Sequence, residues 1–302
     1  MNRKTADGRT RVTVLVALAA NLVIATAKII GGIASGSPAL LSEAAHSVAD
    51  STNEVFLLVA VRRSRRAADR DHPFGYGKER YFWTLLAAVG IFVVGGCFSF
   101  YQAYQALGAD RQESRSGYVA GLAVLGVSLL AEGSSLLRAL YQLRGDGARD
   151  PALRTVIAED STAVCGVLLA AAGMSLHLVT GEAVWEAAAS LAIGLLLVYV
   201  AYRLGREARG RLIGEAVDPV LWDRIRGLLD EQPEIDNVAE LLTMRLGLDS
   251  TLVAARVDLT PGLDSEEVEL VCVRIKRLIR TEWPEAHHVF LDITEAPAPD
   301  TP

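Results

Sequence analysis

Six apolar stretches of about 20 residues each recur along the first two thirds of the sequence and stop near Leu204. A helix of about that length crosses the hydrocarbon core of a bilayer. Of the 302 residues, 51% are hydrophobic. We therefore predict a polytopic α-helical membrane protein. Its six transmembrane helices are expected at about Val12–Ile33, Ala39–Val61, Phe82–Tyr104, Val119–Leu140, Thr155–Val179 and Ala183–Leu204.

The charges between the spans predict the orientation. The link between the first two spans has no charge, whereas the next link is strongly basic, with Arg62, Arg63, Arg65, Arg66, Arg70, Lys78 and Arg80. Basic links face the cytoplasm. An even number of spans then puts both termini in the cytoplasm, and we expect a multi-pass protein of the plasma or inner membrane. The arginine run indicates contact with anionic lipid, and no nucleic-acid partner is expected.

The composition changes from Glu215 onward, where the sequence has 19 acidic and 8 basic residues. Asp218-Pro219 predicts a helix start, and Asp264 predicts another. Alternating segments predict strands at Val238–Leu246 and Thr251–Leu259 around the turn Gly247–Ser250, and a last strand at His287–Thr294. The order α-β-β-α-β predicts a small α+β, ferredoxin-like or metallochaperone-like domain.

Four segments follow from these patterns. Residues 1–11 are predicted to be a cytoplasmic tail and residues 12–210 a six-helix transport domain. Residues 211–295 are predicted to form the cytoplasmic α+β domain, and 296–302 a disordered tail.

Ionisable residues in the second span point to function. His46 and Asp50 are four residues apart, so an imidazole and a carboxylate share one helix face, and Glu43 and Glu54 lie on or near the same stripe. Such residues at bilayer depth cost about 2.5–3.5 kcal/mol each on insertion scales, which makes them a functional hypothesis. We predict a metal site inside the membrane.

The fifth span adds two adjacent acids, Glu159 and Asp160, of which one can face into the bundle. With His46 and Asp50, Asp160 would give a site of nitrogen and oxygen ligands, suited to zinc, cobalt, iron or manganese. Two carboxylates balance the charge of the metal, and the site takes up protons when the metal leaves. The pattern predicts exchange of a divalent cation for protons.

Two further charges lie within spans. Lys28 is expected to reach the membrane surface or to pair with a membrane carboxylate such as Glu43. Glu132 is a candidate fourth ligand, a proton relay or a partner of Lys28. In the basic link, Asp69 and His72 fit either a second metal site or ordinary turn chemistry.

These residues together resemble the cation diffusion facilitator family. The resemblance lies in the polar run Leu40–Asp50, the loop His72–Lys78, the acidic fifth span and the segment Arg211–Ala216. It implies a homodimer with six spans per subunit, a cytoplasmic metallochaperone-like domain, and efflux of a divalent cation, commonly zinc, against protons.

The resemblance also assigns roles by position. His46 and Asp50 match the first pair of transport ligands, and Asp160 matches one member of the second pair. Val156 stands at the position of the fourth ligand, so Glu159, Glu132 or water would complete the shell.

Outside the transport site, the match is less complete. In the loop, Tyr76 replaces a ligand histidine, and in the cytoplasmic domain only Asp292 and His288 approach ligand positions. Lys78 and Glu215 are placed for a salt bridge at the hinge between the membrane and soluble parts.

Two alternative functions remain open at this level. An intramembrane metal-dependent hydrolase would use the metal to activate water, although such sites generally contain more than one histidine. A metal sensor without transport activity would bind the ion without moving it across the membrane.

Overall fold

The computed structural model describes residues 3–108, 115–143, 151–247 and 250–294, with side chains described from residue 18 and, in the fifth helix, from residue 156. It divides into two compact bodies. The first comprises the residues up to Leu58 together with Thr84–Arg206, and the second comprises Val59–Trp83 together with the residues from Glu207 onward. The sequence predicted a membrane domain over residues 12–210, whereas in the structure residues 59–83 and 207–210 group with the second body.

Six long helices form the membrane part, as predicted. They are α1 (Arg3–Ser35), α2 (Pro38–Ser64), α3 (Glu79–Gly108), α4 (Arg115–Leu143), α5 (Pro151–Thr180) and α6 (Val184–Ile213). In the described parts of the chain, all of these except α2 contain a segment that is long and apolar enough to cross a membrane. The apolar part of α1 is Leu18–Ser35, and its helix already begins at Arg3, within the predicted tail.

Although α2 is too polar to be recognised as a span by composition, it lies inside the bundle. Ala39, Leu40 and Ala49 on α2 are buried in the core of this body. The remaining core residues come from α3 to α6 and are Ile91, Tyr118, Leu125, Val167, Ala170, Met174, Ala189, Ile193, Leu197 and Ala201. The apolar helices therefore shield the polar stripe of α2.

Midway along α3, the segment Ile91–Cys97 is π-helical, which the sequence did not predict. Its glycines lie close to α6: a Cβ added at Gly95 would come within 2.7 Å of Leu197 Cδ1, and one at Gly96 within 3.1 Å of Val198 Cγ2. Glycine is required here because a side chain would separate the two helices.

The soluble body has the predicted order α-β-β-α-β. Its elements are α7 (Pro219–Asp230), β1 (Ile235–Arg245), β2 (Thr251–Leu259), α8 (Ser265–Glu282) and β3 (His288–Ile293). The sheet order is β1-β2-β3, with β1 antiparallel and β3 parallel to β2. Leu229, Ile275 and Ile279 from the helices pack onto Val253 and Val257 of the sheet. The predicted α+β domain is confirmed.

Local sequence signals account for the helix starts. Asp218 accepts a hydrogen bond from the amide of Val220, with Pro219 in the first turn, and Asp264 forms a capping box with Glu267. The strand β1 departs from simple alternation, because register shifts between Ile235 and Glu240 place buried residues three apart. Part of the predicted turn, residues 248–249, and the predicted disordered tail lie outside the described residues.

Gly77 provides a test of the packing within the soluble body. An added Cβ would collide with the carbonyl oxygen of Leu246, which is backbone and cannot move aside. We expect Gly77→Ala to destabilise this body by about 1–3 kcal/mol and to accelerate tryptic cleavage after Arg66 and Arg70 in the full-length protein in detergent. Gly227→Ala is the matched control because its Cβ would meet nothing within 4 Å. Equal cleavage rates for both variants would contradict the packing described here.

Candidate metal centre

His46 and Asp50 lie on one face of α2, as the spacing predicted. His46 is 3% exposed, and its Nδ1 lies 3.5 Å from Asp50 Oδ2 without forming a hydrogen bond. Two ligands of a tetrahedral zinc ion with bonds of about 2.1 Å lie about 3.4 Å apart. The pair is therefore spaced as two ligands of one metal ion would be.

Lys28 forms a buried ion-pair cluster beside this pair. Its Nζ lies 3.0 Å from Glu43 Oε1, 2.9 Å from Glu132 Oε1 and 2.8 Å from Ser47 Oγ, so all three ammonium hydrogens have acceptors. Of the alternatives that the sequence left open, the structure shows Lys28 paired with Glu43, and it makes Glu132 a second partner of Lys28. The cluster joins α1, α2 and α4 by charge compensation inside the membrane body. The predicted proton-relay role is not tested by these contacts.

The acids of α5 have other partners. Asp160 Oδ2 accepts a hydrogen bond from Ser135 Oγ at 2.8 Å, and Glu159 Oε1 accepts one from Asn53 Nδ2 at 3.2 Å. Among the described residues, no three His, Cys, Asp or Glu side chains are close enough to hold a metal together. The structure thus does not assemble His46, Asp50, Asp160 and Glu159 into one site, because α4 and α2 engage the two α5 carboxylates separately. The ligand roles of Asp160 and Glu159 stay predictions.

Several polar residues that complete this network were missed by the sequence reasoning. Asn21 Nδ2 donates to Glu54 Oε1 at 2.6 Å. Glu186, 2% exposed, accepts hydrogen bonds from Ser37 Oγ and from the amide of Ala39, and so caps the N-terminus of α2. Helical spacing could have indicated Asn21, which is seven residues before Lys28 on α1. No local signal links Glu186 to α2.

In the loop, Asp69 organises a turn. Its Oδ1 accepts hydrogen bonds from the amides of Asp71 and His72, and its Oδ2 accepts them from Tyr76 and Arg66. His72 Nδ1 lies 3.6 Å from Asp69 Oδ1. Both carboxylate oxygens are engaged by the loop itself, so the geometry favours turn chemistry over the second metal site that the sequence left open.

These hydrogen bonds shift the pKa values of Asp69 and Tyr76. Chiefly the hydrogen bond from Tyr76, together with the backbone amide of His72 and the charge of Arg66, lowers the pKa of Asp69 below its usual value. The same hydrogen bond to Asp69 raises the pKa of the Tyr76 hydroxyl. The turn is stabilised by the ionised form of Asp69.

Tyr76→Phe tests this turn. A carboxyl group with a lowered folded-state pKa stabilises the folded state fully above its unfolded pKa of about 3.9, and this contribution is lost as the pH falls through the folded value. Removing the Tyr76 hydroxyl should raise the pKa of Asp69 towards its ordinary value. The measurement is an NMR titration. The chain has only five histidines, so 15N-histidine labelling gives few backbone amide signals. The His72 amide donates to Asp69, so its chemical shift follows the protonation of Asp69. An unchanged titration midpoint in Tyr76→Phe would exclude the hydroxyl as the cause.

The structure gives Lys78 different partners from the predicted Glu215. Lys78 Nζ donates to the carbonyl oxygen of Leu212 at 3.3 Å and lies 3.5 Å from Met244 Sδ, and no Lys78–Glu215 salt bridge forms in the part of the chain that the structure describes. The physical reason is that the last carbonyls of a helix lack intrahelical donors and attract a cation. The backbone of Glu215 bonds instead to Gly210 and Arg245.

The two ligand-like positions of the soluble domain also have other contacts. Asp292 Oδ2 accepts a hydrogen bond from Arg256 Nε at 2.9 Å, and Arg256 also reaches Glu240 at 3.1 Å. The hydrogen bond to Asp292 raises the pKa of Arg256. His288 lies edge-on to Phe74, with ring centroids 5.2 Å apart. The charge of Asp292 is therefore already compensated.

Comparison with known protein families identifies the membrane part of the chain. The model of the cation efflux transmembrane domain matches residues 14–213, which includes α2 and every residue of the buried network.

Individual relatives extend the similarity beyond residues 14–213. The chain is 28% identical to the mitochondrial proton-coupled zinc antiporter SLC30A9 of Xenopus laevis, over 90% of this chain and 52% of that protein. It is 30% identical to metal tolerance protein C4 of Arabidopsis thaliana, over 92% of this chain and 62% of that protein. It is 27% identical to the manganese efflux system protein MneP of Bacillus subtilis, over 80% and 85%. The chain spans about half the length of the SLC30A9 relative.

Proposed function

The chain belongs to the cation efflux family, and we propose on that premise that it exports a divalent cation in exchange for protons, with His46 and Asp50 at the centre of the transport site. The observation that carries this proposal is the His46–Asp50 pair itself, held at a ligand-like separation of 3.5 Å on one face of α2. Family membership places the chain with transporters rather than enzymes, which excludes the hydrolase alternative.

Charge explains the coupling to protons. Lys28 compensates part of the charge of Glu43 and Glu132, whereas among the described residues Asp50 has His46 as its ion-pair partner. A bound cation requires Asp50 in its ionised form and His46 in its neutral form, and both groups can take up protons when the cation has left. Metal and protons therefore occupy the pair alternately as the helices rock between the two sides.

The ligand chemistry narrows the identity of the transported ion without fixing it. One imidazole with carboxylates suits zinc, and we propose zinc as the principal substrate, with cobalt, iron and manganese as further substrates. Among the relatives, zinc appears in the name of the SLC30A9 protein and manganese in that of MneP. From the basic links, we also propose that both termini are cytoplasmic and that the protein resides in the plasma or inner membrane.

The transport proposal is tested in proteoliposomes with an imposed pH gradient. We expect Asp50→Ala to reduce uptake of zinc and manganese by at least about tenfold, because it removes a group of the metal site. Asp71→Ala, which removes an exposed carboxylate from the loop, should transport normally. Full uptake by Asp50→Ala would refute the site. Metal binding by the wild-type protein without gradient-driven uptake would instead favour the sensor alternative.

We further propose that the protein is a homodimer, as the family resemblance implies. An exposed row of the sheet supports this: Leu242 is paired with Ala254 and Ala254 with Phe290, and Leu242 and Phe290 are 57% and 51% exposed. Burial of such an apolar row is the driving force that a second copy would supply.

Light scattering of the protein in detergent should give twice the mass of the 32.3 kDa chain. Phe290→Glu should shift the protein towards the monomer because it puts a charge into the proposed interface. Leu270→Glu, a change at a leucine on α8 that is 67% exposed, should not. If Phe290→Glu leaves the mass unchanged, the dimer does not use this face.

A further inference from the structure

Glu43 has a carboxylate oxygen that the Lys28 cluster does not use. The side chain is fully buried, and while Oε1 pairs with Lys28, Oε2 has no hydrogen-bond partner among the described residues. A buried charged oxygen without a donor is costly, and such an atom calls for an explanation.

The packing of α5 shows where this oxygen points. A Cβ added to Gly166 would collide with Glu43 Oε2 and would lie 3.3 Å from His46 Cδ2. Glu43 Oε2 and the edge of the His46 ring therefore flank the same point on α5, where only a glycine leaves room for both. Neither ring nitrogen of His46 has a hydrogen-bond partner in the described structure.

We infer that Glu43 is a further ligand of the transported cation and binds it through Oε2 together with His46. This inference rests on the proposed function. Along α2, Asp50 lies one turn to the cytoplasmic side of His46 and Glu43 lies one turn to the opposite side. His46 thus has a carboxylate on either side, and Glu43 supplies the oxygen ligand that Val156 cannot.

Asp50 and Glu43 bind the cation one after the other, each together with His46. In the part of the chain that the structure describes, no three ligand side chains are close enough to hold one metal together. The cation therefore binds first between Asp50 and His46 and then passes to His46 and Glu43 on its way out.

Lys28 acts as a positioning residue in this step. By holding Oε1 at 3.0 Å it fixes the orientation of the Glu43 carboxylate and leaves Oε2 directed towards α5. Groups that bond to the far side of a metal ligand orient it in this way, and their loss typically weakens metal binding by about 10–100-fold.

The experiment measures Co²⁺ binding by the purified full-length protein in detergent, through calorimetry and the visible absorption of the bound ion. In Asp50→Asn, Glu43 remains as a carboxylate partner of His46, so weakened but measurable binding is expected. Adding Glu43→Gln should reduce this residual affinity by a further 10-fold or more, about the range known for groups that support a metal site, and should change the absorption spectrum.

Glu54→Gln is the matched control, because it also removes one carboxylate from α2, while the amide oxygen of glutamine can still accept the hydrogen bond from Asn21. Asp50→Asn with Glu54→Gln should keep the residual Co²⁺ affinity and spectrum. Equal losses in both double variants would show that Glu43 acts only through the negative charge that it adds to α2, and no residual binding in Asp50→Asn would show that Glu43 holds no ion. Either result overturns the inference. Absence of Co²⁺ binding by the wild-type protein would instead refute the proposed function.

Discussion

A lysine ammonium buried within a membrane domain imposes the main constraint on this structure. Lys28 is fully buried, and its charge is compensated only while α2 presents Glu43 and α4 presents Glu132. Breaking a buried pair by removing one partner costs far more than the pair contributes, because the other charge stays uncompensated. The three helices are therefore held in one rotational setting, and that setting also fixes the direction in which His46 faces.

Most of the fold could be predicted from the sequence because its determinants are local or periodic. Apolar runs of bilayer length indicated the spans, and Asp218-Pro219 and Asp264 marked where α7 and α8 begin. The π-helical turns of α3 and the register shifts of β1 could not be predicted. They depend on close contacts with neighbouring elements, such as that between Gly95 and Leu197, which no single segment encodes.

The candidate site could also be predicted only in part from the sequence. The His46–Asp50 pair follows from helical spacing alone, and Lys28 needed a carboxylate partner whichever helix supplied it. The choice of Ser135 for Asp160, and of the Leu212 carbonyl for Lys78, depends on how helices and loops are placed against each other. A family pattern predicts the residue types at a site. It does not predict from which nearby donor each carboxylate accepts a hydrogen bond.

The π-helical segment Ile91–Cys97 makes α3 and α2 differ in how they accommodate changes in chain length. A π turn holds one more residue than an α turn, so an inserted or deleted residue in α3 is absorbed by interconversion of the two turn types, while the ends of the helix keep their phase. The helix α2 contains no π-helical turn that could absorb a change in length. One residue added between His46 and Asp50 would rotate them onto different faces, so the length of α2 is as strictly constrained as its chemistry.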